Sequence, residues 1–513
     1  MPKVKVKVPE VSGYDLSHRN SGTEICGQLT PLLCREVVPA SPISCKINIV
    51  TQLPPLVSDT YMNVRKKLEA FFVPSRLLNA SFEDWFCDFP RLFAYGSGTV
   101  SSRTLTSLKS RLPVLRLTGS FGLNHQRLCA GSLLDYLGFK VDNLSGSVDI
   151  NPLPMIAYHL IWQEYYRNPK VTNPAFAPSL GVDSYSNTNR TFKRAVCLPY
   201  TRFYEADSVL TERIYIPVEP SDLDPMLLPT HFLMLGDGTH FFDLRQRNFG
   251  YDCFTVANPS PQMGDAAKVE FTVDQDAGSI SIAQIRAGNS LQMFRERNNL
   301  PSPRLVDQVK ARYNADLSDG VAQRPICIGS ATYDIVTRGV DQTAGVSDGS
   351  NPFNSVASQY GRAFGAGSDF IIDHFVANEP GYIMVLQSIV PEVSYSTGVD
   401  PMFFRYTKAG SIVEMATPLL QNVGDEPIMA SELFCSDDAS RSAIFAYRQR
   451  FGSVMYVPNQ VHGLFRDPQS LNSFVLSRGF SSSPVQGTDF LKIPKTYMDQ
   501  VLAVSQAVAG VTG

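Results

Sequence analysis

The sequence predicts a mainly β protein with long loops and a few helices. Three observations carry this reading. Glycine and proline number 35 each and are spread along the chain, with short strand-like runs between them. Residues 61–73 alternate: Met62, Val64, Leu68, Ala70 and Phe72 share one face, and Asn63, Arg65, Lys67 and Glu69 share the other. That is the pattern of a half-buried strand, with Lys66 the one charge on its apolar face. Residues 382–390 are apolar except for Gln387 and Ser388, which suits a strand covered on both faces.

In chain order, residues 1–25 read as an extended arm. Lys3, Lys5 and Lys7 alternate with Val4, Val6 and Val8, giving the arm one basic face. Residues 27–52 give one or two strands broken by Pro39 and Pro42. A helix is expected over 79–86, with Asn79 or Ser81 as its cap. Within 155–169, Tyr158, Ile161, Trp162 and Tyr165 fall at i, i+3, i+4 and i+7, one face of a helix docked on a core. Pro154 fits its first turn and Pro169 stops it. Residues 170–250 lack periodicity beyond a strand at 212–218 and are the candidate for a surface insertion. Residues 281–298 read as a helix with Ile282, Ile285, Leu291 and Phe294 on its apolar face. A shorter helix carries Leu305, Val309 and Tyr313.

Bulk properties bound the function. A chain of 513 residues can bury a large core. Hydrophobic residues make up 43% and charged residues only 18%, which suits a chain that hides surface against copies of itself. The net charge of −3 argues against nucleic-acid binding by the whole surface and for local basic patches or a separate basic partner. No apolar run reaches the roughly 18 residues of a membrane helix, and the first 30 residues show no signal-type block. A cytoplasmic start and no membrane insertion are therefore expected. Nine scattered cysteines contain no CxxC pair and read as reduced thiols.

No catalytic or metal motif stands out, and no cofactor is expected. HExxH, Walker A and GxSxG patterns are absent. Gly365-Ala-Gly367 reads as a flexible loop. His125 with Cys129 makes only two ligands where a zinc site needs more, so a packed pair is the plainer reading. His231 and His240, with Asp237 and Asp243, read as solvated loop residues. The sequons at Asn79, Asn143 and Asn189 carry no meaning without secretion. The candidate nucleic-acid contacts are Lys3, Lys5, Lys7 and Arg19 on the arm, and Arg295 and Arg297 beside Phe294. Arg304, Lys310 and Arg312 extend that second cluster towards Tyr313. An exposed basic face over an apolar underside is the blander account of it.

Several phrases together resemble the major capsid proteins of the Microviridae, especially the gokushovirus-like branch. Ser132-Leu-Leu-Asp-Tyr-Leu-Gly138, followed by Ala157-Tyr-x-x-Ile-Trp-x-Glu-x-x-Arg167-Asn168, is one. Tyr14-Asp-Leu-Ser-His18 and Phe72-Val-Pro-Ser-Arg76 precede it, with Trp85 and Phe86 at a matching place. Tyr251-Asp-Cys-Phe-Thr to Gly264 resembles a family phrase in part. Arg295-Glu-Arg297, Gln323-Arg-Pro325, Val457-Pro-Asn-Gln-Val-His-Gly-Leu-Phe-Arg466 and Met498-Asp-Gln-Val-Leu-Ala-Val504 follow in order. The Gly-Gly-Thr-Arg-Tyr phrase of the branch is replaced by Leu300-Pro-Ser-Pro-Arg304, which marks a diverged member.

The resemblance implies an eight-stranded antiparallel jelly-roll β-sandwich with long insertions. It divides the chain into the arm (1–25), a first part of the capsid domain (26–169), the insertion (170–250) and the remainder (251–513), which holds a helical insertion at 281–314. It implies a virion protein, assembled in a bacterial cytoplasm, that closes as pentamers into a T=1 shell of sixty copies around circular single-stranded DNA. The implied partners are that DNA, a small basic DNA-binding protein, a pilot or scaffolding protein, and a host receptor. A β-sandwich adhesin or fibre protein is the alternative. A jelly-roll carbohydrate-active enzyme comes after it, lacking a nominated carboxylate pair.

Overall fold

The computed structural model describes residues 14–78, 82, 86, 115–118, 130–140, 147–175, 237, 239, 241–261, 286, 288, 290, 291, 293, 304–341, 359–406, 425–437 and 443–503. The strands are β1 (Thr30–Val37), β2 (Pro42–Gln52), β3 (Val64–Pro74), β4 (Leu115–Thr118), β5 (Ser147–Ile150), β6 (Ile326–Asp341), β7 (Gln359–Val376), β8 (Gly381–Pro391), β9 (Asp425–Met429) and β10 (Ile444–Gln449). The helices used below are α1 (Ser75–Leu78), α2 (Leu133–Tyr136), α3 (Leu153–Ile161) and α4 (Leu305–Tyr313). The protein is mainly β and antiparallel, as expected. Six strands form one sheet in the order β1-β8-β3-β6-β7-β2. The pairs β4–β5 and β9–β10 are separate ribbons.

The long strands make that sheet curl. β6 pairs with β3 over Ile326 to Ile335 and with β7 over Val336 to Asp341. β7 then continues along β2. The two halves close on each other around Leu68, Ala70, Phe72, Tyr333, Ile372 and Val385. Two glycines allow the close approach. A Cβ on Gly329 would lie 1.8 Å from the Ile371 carbonyl oxygen, and one on Gly367 1.9 Å from the Tyr333 ring. The Gly365-Ala-Gly367 stretch is therefore not a loop. It stands inside β7, where the missing side chains admit a neighbouring ring.

β8 is buried along its whole length, as its apolar run, interrupted only at Gln387 and Ser388, predicts. β3 corrects the half-buried reading. Its even positions face the space between the sheet halves, while Phe71 and Val73 on the odd face are also buried. They pack under α1, α2 and α3 with Leu77, Leu133, Ile156 and Met384. The odd face is polar at Arg65, Lys67 and Glu69 and apolar from Phe71 onward. Lys66 is buried too. It pairs with Glu24, which is equally buried, and so the one charge on the apolar face is neutralised within the core.

The expected helix after Pro154 forms as α3, and it continues as a π-helical turn over Trp162–Tyr166. Asn151 Oδ1 accepts the Leu153 N–H (3.0 Å) at its start. Every residue of α3 except Pro154 is buried, so the helix is enclosed all round rather than docked on one face. The π turn is closed by Arg167 N–H donating to the Trp162 carbonyl (3.0 Å). It shifts Tyr166 into the core and leaves Tyr165 half-buried.

Of the remaining expectations, 27–52 resolves into β1 and β2. Phe82 and Phe86 are helical and their rings stack at 5.8 Å. The 281–298 helix is seen at Arg286, Gly288, Ser290, Leu291 and Met293. α4 forms, yet none of its residues is buried. The 212–218 strand lies outside the described residues. The ends of the 170–250 stretch belong to the core, with Ala175, Phe241, Phe242, Leu244 and Phe249 all buried. A third core is built by Phe254, Tyr395, Ile428, Phe445, Phe490 and Met498, so the phrase that starts at Met498 is a packing element, while Val457 to Arg466 is largely exposed apart from Val461.

Candidate functional site

The segment that the sequence singles out holds a dense polar seat. Tyr158 donates its hydroxyl to the Leu29 carbonyl and accepts the Arg245 N–H, both at 2.7 Å. Arg245 Nε donates to His159 Nδ1 (2.9 Å), which leaves the proton on His159 Nε2 to donate to the Phe241 carbonyl (2.7 Å). The Arg245 guanidinium lies 4.1 Å from the Trp162 ring centroid and pairs with Asp237. The Trp162 Nε1–H donates to the Gln246 carbonyl (3.3 Å). His159, Arg245 and Asp237 thus adjoin one another, and the Thr239 hydroxyl donates to Asp237 Oδ2 (3.0 Å). They fix α3 to the segment 241–250, whose backbone pairs with Gly27 to Leu29 just ahead of β1.

One turn on, the Tyr166 hydroxyl donates to Glu69 Oε2 (2.5 Å), and Arg247 clamps the same carboxylate at 2.5 and 3.3 Å. Tyr165 donates to the Pro325 carbonyl (2.6 Å). Burial pushes the Glu69 carboxyl up, but Arg247, Tyr166 and Lys67 outweigh it and hold it below the ordinary glutamate value. A carboxyl with a depressed folded-state pKa stabilises above its unfolded value of about 4.3 and loses that contribution as pH falls through the folded value. Glu69→Gln is therefore expected to lower the urea midpoint clearly at pH 7. The gap to wild type should shrink steadily below about pH 4.3. A gap that stays constant with pH would contradict the clamp.

The basic candidates scatter. Lys3, Lys5, Lys7, Arg295, Arg297 and Phe294 lie outside the described residues. Arg19 is exposed. Arg304 is half-buried and donates to the carbonyls of Arg167 (2.6 Å) and Gln163 (3.3 Å), so it ties down the end of the π turn. Lys310 meets Asp316 at 2.8 Å on the exposed surface. Tyr313 is exposed. His125, Cys129, His231 and His240 lie outside the described residues, and Asp237 is the partner of Arg245. Among the described residues, no cluster of three His, Cys, Asp or Glu side chains forms that could hold a metal ion. No helix there is long and apolar enough to cross a membrane.

Sequence reasoning missed Arg245, Arg247, Glu24 and Glu69 as core ionic groups. The single available signal was Lys66 on an apolar face. It also missed the exposed apolar surface. Tyr251 is 94% exposed and Val457 81%. Met402 and Phe403 stand out near the exposed run from Val454 to Val457, where Arg405 reaches Ser453. Grouped apolar side chains in water mark surfaces that meet other chains.

The comparisons with known proteins fit this picture. The chain matches the family described as capsid protein (F protein) over residues 3–512. It is 25% identical to the capsid protein VP1 of Chlamydia phage 1, covering 96% of this chain and 91% of the relative. It is 23% identical to the capsid protein VP1 of Bdellovibrio phage phiMH2K, covering 96% and 90%. A shorter match, 23% identical over 45% of this chain and 41% of the relative, links it to the capsid protein VP1 of Spiroplasma virus 4. With a near end-to-end family match and a curled antiparallel β core beneath it, the chain belongs to the Microviridae capsid protein (F protein) family and is a major capsid protein, a component of the virion.

Proposed function

We propose that this protein closes into a T=1 icosahedral shell of sixty copies, arranged as pentamers around circular single-stranded DNA. The family match over nearly the whole chain carries the reading. Low charge content and exposed apolar groups support it, because a shell subunit buries on assembly what a monomer leaves in water. Identical copies related by rotation close heterologous contacts into rings and shells. The jelly-roll topology extends the observed six-stranded sheet. Assembly in the host cytoplasm is part of the same reading.

The arm with Lys3, Lys5, Lys7 and Arg19, and the Arg295 and Arg297 cluster, supply phosphate contacts that carry no sequence preference. Because the whole chain is net acidic at −3, a small basic DNA-binding protein supplies further neutralisation, and a pilot or scaffolding protein accompanies it. The insertion, narrowed to about 176–236 by the core positions of Ala175 and Phe241, lies outside and meets the host receptor. Deleting most of it is expected to leave particles that form normally in the host and no longer attach to cells. Electron microscopy and an adsorption assay check this. Failure to form particles would make the segment structural.

A further inference from the structure

We propose that the outward face of the β2–β7–β6 half of the sheet is the surface on which the single-stranded DNA lies. The proposal rests on the enclosure of DNA proposed above. Its ground is the composition of one continuous face. Lys46 stands opposite Phe370, Val50 opposite Ala366, and Gln52 opposite Phe364 in the β2–β7 register. Phe364 then stands opposite Val336, and Arg338 opposite Arg362, in the β6–β7 register. These side chains point away from the core formed by Ile47, Ile49, Tyr333, Ile371 and Ile372.

The face carries cations and rings, and the one acid at its border on β6, Asp334, is paired with Arg65. No carboxylate occupies its outward positions on β2 from Lys46 to Gln52, on β7 from Arg362 to Phe370, or on β6 from Val336 to Val340. The nearby acids are accounted for. Asp334 is held by Arg65 (3.3 Å), Asp369 lies on the opposite face by Tyr333, and Asp373 lies past a register shift at the far end. In a chain with 48 acidic residues, such a face selects a polyanion over an ordinary protein surface.

The arginine pair sharpens the argument. Arg338 and Arg362 are direct cross-strand partners, both exposed, and neither guanidinium has a hydrogen bond or ion pair to another described residue. Like charges placed directly opposite one another destabilise a sheet. A polyanion laid across them removes that repulsion. Phe370 is 61% exposed with the Lys46 ammonium 5.4 Å from its ring centroid, and Phe364 is 45% exposed. At about 3.4 Å per residue the two rings stand roughly 20 Å apart along β7. Exposed rings interleaved with cations are what sequence-tolerant binding of single strands uses.

The test uses full-length unassembled chain and a fluorescein-labelled oligo(dT), with anisotropy followed over a salt series. Arg338→Gln with Arg362→Gln is expected to flatten the slope of log K against log salt by about 1.4, near 0.7 per phosphate contact. Its melting temperature should be unchanged or higher, because the repulsion is gone. Phe370→Ala is expected to weaken binding by about 5- to 150-fold through lost stacking. Lys495→Gln, exposed and outside that face, should bind as wild type does. Wild-type slope and affinity in both face variants would overturn the proposal and leave the enclosure reading standing. Variants that bind DNA normally and no longer form particles would overturn it too, because the face then meets a second copy. A wild-type chain that does not bind oligo(dT) would overturn both.

Discussion

Replacing Lys66 with methionine is expected to destabilise the unassembled chain by about 3–5 kcal/mol, because it leaves a buried carboxylate without its cation. Lys66 and Glu24 are both sealed from solvent. Glu24 Oε1 has no hydrogen-bond partner among the described residues, so Lys66 is the main compensation for its charge. Burial already pushes the Glu24 carboxyl above the ordinary value, and Lys66 offsets only part of that. A raised carboxyl pKa gives a contribution that is full below about pH 4.3 and is lost as pH rises through the folded value. Without Lys66 the shift grows, so Lys66→Met should approach wild-type stability on acidification. Adding Glu24→Gln should recover most of the loss at pH 7, since neutral isosteres tolerate burial far better. Urea unfolding of the wild type and the two variants checks it. A single-variant loss below about 1 kcal/mol, or no recovery in the double variant, would contradict the buried-pair account.

Trp162→Ala is expected to cost about 3–5 kcal/mol. The ring is buried between α3 and the 241–250 segment, and its loss opens a cavity that the enclosed helix cannot close. Two polar groups lose cover as well: the Gln246 carbonyl its donor, and the buried Arg245 guanidinium the ring beneath it. Trp162→Phe should cost about 1–2 kcal/mol, because it keeps a ring and drops the hydrogen bond. A double-mutant cycle with Arg245 is expected to show a coupling of about 0.5–3 kcal/mol. Additive losses would mean that the stacked guanidinium contributes nothing to the seat.

How much of this was legible in the sequence depends on range. α3 was legible because its aromatic spacing is local. Its π turn was not, since nothing local distinguishes Tyr165 from Tyr166. β8 was legible because a run apolar at all but Gln387 and Ser388 implies two covered faces. β3 was half legible: Arg65, Lys67 and Glu69 hid the burial of Phe71 and Val73 further along the same face. Lys66 announced itself as an anomaly, but its partner Glu24 lies in a preceding segment that only the fold lays across β8. Gly365 and Gly367 misled because a glycine required by a ring from another strand looks locally like a glycine required by a loop. The end of the proposed insertion was readable in principle, since Phe241, Phe242 and Phe249 form an aromatic-rich stretch of core type. The outward face of β2, β7 and β6 escaped because its cations are spread over three strands.

Sixty copies of this chain are expected to build the closed shell. Electron microscopy of particles purified from host cells producing the capsid protein with its phage partners tests it most directly. Uniform small icosahedral particles with sixty copies and nuclease-protected single-stranded DNA inside are expected. Fibres, trimers or open sheets made by correctly folded chains would contradict it.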